Sequence, residues 1–98
     1  MDQQPILTHH AATRMAQRGI GMFQIQMAIR YGKKIYRQGY VFHVMRDKDI
    51  PDSVNAKQRS TLKRLVVVTS GGKDNAVITV YRASGALKAI RQKSKRLL

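Results

Sequence analysis

Residues 65–82 read LVVVTSGGKDNAVITVYR, and this stretch decides how the chain folds. Its first five residues are strand formers with apolar side chains on both faces, the mark of a strand in the middle of a sheet. Residues 70–75 are small or polar and predict a turn. Residues 76–82 then predict a second strand, with Ile78 and Val80 on one face and Val77, Thr79 and Tyr81 on the other.

Upstream of this pair, residues 47–62 are polar, contain Pro51 and follow neither the helical nor the strand period, which predicts a long loop. Residues 33–37 and 40–46 alternate, with Gln38 and Gly39 between them, and predict a tight hairpin. The helical period takes over before that. Residues 22–31 place Met22, Ile25, Ala28 and Ile29 on one face and stop at Gly32, while residues 9–18 start at a Thr8 cap and stop at Gly19. Residues 1–7 supply at most a short extended edge segment.

Downstream, Ser84 is a cap for a last helix, with Leu87, Ile90 and Leu97 or Leu98 as a thin apolar seam among Lys88, Arg91, Lys93, Lys95 and Arg96. The expected architecture is α+β: two N-terminal helices packed on a four-stranded antiparallel sheet, with a basic C-terminal helix or tail. A single domain spans 1–98, with its core at about 8–83 and the basic tail at 84–98.

The 98 residues hold 19 Lys and Arg against 5 acidic residues, all of them Asp, for a net charge of +14. Such an excess suits a polyanion, so RNA is the first partner expected and an acidic partner protein the second. No cysteine is present, which excludes disulfides, thiolate metal sites and cysteine nucleophiles. No apolar run approaches the roughly 20 residues that cross a bilayer, and the N-terminus has no secretion-signal order, so a cytoplasmic location without a membrane partner is expected.

The chemistry concentrates in residues 8–20, THHAATRMAQRGI. On a helix, Ala11, Ala12, Met15 and Ala16 gather on one side, which is expected to pack, and His10, Thr13, Arg14, Gln17 and Arg18 on the other, which is expected to look outward. His10, Arg14 and Arg18 stand at i, i+4 and i+8, so an imidazole and two guanidinium groups form a row. Neighbouring cations and a helix N-terminus favour the neutral imidazole, the form that acts as a base. Arg14 and Arg18 offer forked hydrogen bonds suited to phosphate.

Tyr81 and Arg82, at the end of the last strand, are further candidates for phosphate contact, although alternation sends them to opposite faces unless a bulge intervenes. Lys57, Arg59, Lys63, Lys88 and Arg91 are candidate backbone contacts for a nucleic acid, with a solvated surface as the plain alternative. His43 shares a face with Val41 and Met45 and reads as a half-buried, inert residue. Tyr36, Tyr40 and Phe42 are either base-stacking rings or core. No metal site or other cofactor is expected, because only three histidines exist, His9 and His10 diverge on a helix, and there is no glutamate. Gly71 and Gly72 lack the Lys-Ser/Thr and helix of a phosphate loop, and no nucleophile elbow is present.

The pattern His10-Ala11-x-x-Arg14-Met15-x-x-Arg18-Gly19-Ile20, closing with Val77-Ile78-Thr79-Val80-Tyr81, resembles the domain of unknown function 4258 family. The likeness covers about residues 8–82. Gly21, where a Ser or Thr cap is usual, and the long segment 47–62 depart from the pattern. That family is similar to the RelE and barnase-like ribonucleases, whose small basic members set helices against an antiparallel sheet and cleave RNA without a metal. The resemblance implies a metal-independent ribonuclease of the kind found as the toxin of a toxin–antitoxin pair, with His10 as base, Arg14 and Arg18 on the phosphate and Tyr81 or Arg82 at the leaving group. A non-catalytic RNA-binding or ribosome-associated module uses the same basic face without depending on His10. A DNA-binding helix-turn-helix ranks lower, because the second helix offers only Gln24, Gln26 and Arg30 as base readers.

Overall fold

The computed structural model describes residues 5–71 and 75–92. The expectations for 1–4, 72–74 and 93–98, including Leu97 and Leu98, lie outside these residues. Thr8 is extended, and its hydroxyl accepts a hydrogen bond from the Ala11 N–H to start α1, His9–Arg18. Gly19 ends α1 at φ 62°, a left-handed conformation that glycine adopts without strain. Helix α2, Met22–Tyr31, follows at once. Gln24 Oε1 accepts from the Gly21 N–H, so a side chain within α2 satisfies the donor at its entry.

Strands β1, Lys33–Arg37, and β2, Tyr40–Val44, meet at Gln38 and Gly39, both with positive φ, as in a two-residue turn that matches strand twist. With β3, Leu65–Ser70, and β4, Val77–Arg82, they form an antiparallel sheet in the order β1-β2-β3-β4. One face carries Met45, Leu65, Val67, Val77 and Val80 against Ala11 of α1 and Ile25 and Ala28 of α2. The other carries Ile35, Phe42, Val44, Val66 and Val68 against Ala86 and Ile90 of α4, Ala86–Gln92. Arg37 donates to the carbonyls of Ile90 and Arg91, securing the end of α4 to β1. The described part of the last helix is therefore a covering layer rather than a loose tail. This explains why β3 is apolar on both faces.

Three expectations are corrected. Segment 47–62 is not a loop: a single 3-10 turn at Asp47–Asp49 precedes α3, Ala56–Leu62, which Asn55 caps. Leu62 is fully buried, and it anchors a helix too short and polar to show a period in the sequence. On α1, Ala12 and Ala16 are exposed and only Ala11 is fully buried, because a helix lying along the edge of a sheet needs a narrow apolar stripe. In β4, Ile78 and Val80 do not share a face. A register shift at Val68/Thr69 inserts a bulge, so Val77 and Val80 face α1 and α2 while Ile78 and Tyr81 face the α4 side.

Candidate functional site

Helix α1 runs beside β4, the strand at the edge of the sheet. The Thr8 N–H donates to Val77 O at 3.1 Å and its hydroxyl to Ile78 O at 3.2 Å, fixing the start of the helix. At the other end, Arg18 Nη1 donates to Val80 O at 2.7 Å, and Arg82 donates to Arg18 O at 3.0 Å and to Thr61 O at 3.1 Å. A ten-residue helix and a five-residue stretch of strand are both about 13–15 Å long, so the polar row of α1 stays alongside β4 throughout.

Between them lies an open groove of about 1020 Å³. His10, Arg14 and Arg18 line it from α1, Ile78, Thr79, Tyr81 and Arg82 from β4, and Tyr40 from the start of β2. The structure thus brings the four residues singled out for catalysis into one hollow. Tyr81 and Arg82 keep opposite orientations, Tyr81 beside Val66 and Arg82 beside Leu65. They share the groove because β4 is an edge strand around which the hollow wraps; the bulge lies farther back along the strand.

The cations in the groove divide by their partners. Arg18 and Arg82 spend guanidinium hydrogen bonds on backbone carbonyls and so hold α1, α3 and β4 together. Arg14 Nη1 donates to Gln17 Oε1 at 2.8 Å, and its Nε makes a long contact of 3.4 Å to His10 Nε2, which accepts. The Arg14 Nη2 has no partner among the described residues and is available to an anion. Burial pushes the Tyr81 phenol up, so it stays protonated and able to donate. No carboxylate lines the groove, and no cluster of three metal-ligating side chains exists among the described residues.

His43 is hydrogen-bonded as expected, but it is fully buried rather than half-buried, because the sheet face it shares with Val41 and Met45 is covered. It is 2% exposed, and its Nε2 lies 3.0 Å from Thr69 Oγ1 in a hydrogen bond, while Nδ1 meets no partner among the described residues. Burial lowers its pKa to about 4, and the charge of Lys34, its cross-strand neighbour, acts in the same direction. Taking a charged imidazolium out of water is costly, and this desolvation is the larger of the two causes.

The remaining basic candidates lie elsewhere. Arg59 donates to Asp47 and to the carbonyls of Ile50 and Pro51, and Lys63 lies 3.8 Å from Asp47 Oδ1. Lys57 is exposed on α3, and Lys88 and Arg91 on α4. From the sequence alone, Tyr40 is either a stacking ring or core, and Ile78 is one residue of a strand. No local signal marks either as part of the groove, because their arrival depends on strand order and on the bulge.

Among the described residues, no helix is long and apolar enough to cross a membrane. Neither a curated protein nor a solved structure matches the chain significantly. A family pattern does match, and it covers both walls of the groove. It extends from the bridge residue Leu7 through α1 to the end of β4, and the chain belongs to the family described as Domain of unknown function (DUF4258), matched over residues 7–82.

Proposed function

We propose that the groove binds the phosphodiester backbone of RNA and cleaves it without a metal, as the likeness to RelE and barnase-type ribonucleases suggests. One observation carries this reading: an imidazole, three guanidinium groups and two phenols line one open groove, with no carboxylate in its lining among the described residues. Such a lining attracts a phosphate and supplies acid–base groups for its transfer.

In the proposed step, His10 takes the proton of a ribose 2′-hydroxyl and the freed oxygen attacks the adjacent phosphorus. Arg14 donates to the non-bridging oxygens as their charge grows. The 5′-oxygen departs with a proton from Tyr81, leaving a 2′,3′-cyclic phosphate and a 5′-hydroxyl. His10 then releases its proton to water and Tyr81 regains one. Arg18 and Arg82, committed to backbone carbonyls, add charge and hold the two walls in place.

The test is incubation of the purified protein with RNA in the presence of a chelator, alongside His10→Ala and Arg14→Ala. Loss of a general base is expected to slow cleavage about 10²- to 10⁴-fold. Equal cleavage by all three proteins, or none by any, overturns the mechanism.

The contact between Arg14 Nε and His10 Nε2 favours a second reading, since it occupies a nitrogen that a base needs free. In that case the same groove binds RNA without cutting it. Binding then weakens steeply with salt, loses a little with each cation removed, and is indifferent to His10→Ala.

A further inference from the structure

We propose that Tyr40 and Ile78 form a nucleobase subsite on the floor of the groove, which selects unpaired RNA over duplex. The inference rests on the reading that the groove binds an RNA backbone. Of three aromatic residues on the hairpin, Phe42 is 1% exposed and belongs to the core. Tyr36 is 70% exposed on the far edge strand β1 and does not line the groove. Tyr40 is half-buried, packed against the α4-side cluster together with Ile78 and Tyr81, and it lines the groove. A ring held by packing but partly open to a groove loses little freedom when a flat ligand covers it.

The groove is also divided by chemistry. His10, Arg14 and Arg18 stand on the α1 wall and Arg82 at the end of β4, whereas the Tyr40 ring and the Ile78 side chain lie on the α4 side of the sheet, so phosphate and base meet different surfaces. A single strand has this same division across its width. A duplex buries its base faces in its own stack and presents phosphates outward, leaving an apolar floor uncovered. The volume of about 1020 Å³ matches the upper end of the roughly 300–1,000 Å³ that encloses a drug-sized ligand, room for a base with its flanking phosphates.

The bulge in β4 is what makes the floor. Without the register shift at Val68/Thr69, strict alternation would turn Ile78 toward the same face as Val80, beneath α1. The face that carries Tyr40 would then lose Ile78 from the groove lining.

Anisotropy titrations with three labelled ligands of equal length test the subsite: a 2′-O-methyl single strand, which cannot be cleaved, the same strand made abasic, and a duplex. Wild-type protein is expected to bind the base-bearing strand roughly tenfold or more tighter than the abasic one, and tighter than the duplex. Tyr40→Ala should reduce the base-bearing strand to the abasic level without changing the salt slope, and Tyr40→Phe should restore the preference. Arg14→Ala should weaken base-bearing and abasic strands alike and lower the salt slope by about one. Equal binding of base-bearing and abasic strands, or tighter binding of the duplex, overturns the subsite while the Arg14 dependence keeps the groove reading intact. Binding of all three ligands without Arg14 dependence overturns both. The abasic comparison uses wild-type protein, so it stands whether or not Tyr40→Ala folds.

Discussion

Two parts of this protein are rich in arginine and handle the charge differently. In the segment joining β2 to β3, Arg46 forms a two-pronged pair with Asp49 at 2.8 Å, and Arg59 and Lys63 approach Asp47 at 3.4 and 3.8 Å. Along the α1–β4 edge, Arg18 and Arg82 donate to neutral carbonyls instead. Asp47, Asp49 and Asp52, the carboxylates among the described residues, all lie in the first segment. Cation is thus neutralised in one place and merely positioned in the other. A net charge of +14 becomes a local field only where acids are absent.

The comparison is broken most severely by showing that the ion-paired segment is not a built element. Leu62, fully buried at the end of α3, secures it to the core. Leu62→Ala should cost about 2–5 kcal/mol in urea unfolding. A loss below about 1 kcal/mol would mean that α3 is loosely attached and that its ion pairs are incidental.

A pH series sharpens it next. His43 has a folded pKa of about 4 against an ordinary 6.5, so as pH falls the unfolded chain takes up the proton first. Its contribution is complete above 6.5 and drains away down to about 4. The total is about 3 kcal/mol. Hydrogen bonding to Arg46 holds the Asp49 carboxyl below its ordinary 3.8, so the ion-paired segment loosens only at lower pH. Unfolding measured across the upper window should therefore slope in wild type and flatten in His43→Gln. A flat wild-type profile there would show that the core accepts a charged imidazole.

The smallest effects come from paired substitutions, read at low and high salt. Arg82→Ala removes two hydrogen bonds to carbonyls and should cost about 1–2 kcal/mol. Asp49→Ala should cost about 1 kcal/mol or less. At roughly 1 M salt, where screening acts within about 3 Å, the Asp49 effect should shrink and the Arg82 effect persist. Equal salt dependence would erase the distinction between the two regions.

Much of this was legible before any coordinates. The strand pair at 65–82, the Gln38-Gly39 turn and the caps at Thr8 and Gly19 are local statements about backbone preference, and each stands in the structure where expected. The row of His10, Arg14 and Arg18 follows from helical spacing alone. Helix α3 escaped because seven residues with one buried leucine carry no measurable period. Ala12 and Ala16 stay exposed because an apolar side of a helix need not all be covered.

The sequence by itself determined which elements form, that β3 sits inside the sheet, and that one helix presents an imidazole beside two guanidinium groups. Only the tertiary structure decided what that helix faces. Its place at the edge strand lets one groove take side chains from both faces of β4, and the bulge turns Ile78 to the face that carries Tyr40. Both outcomes depend on contacts between residues some 40 to 70 positions apart, and local backbone preference carries no information about them.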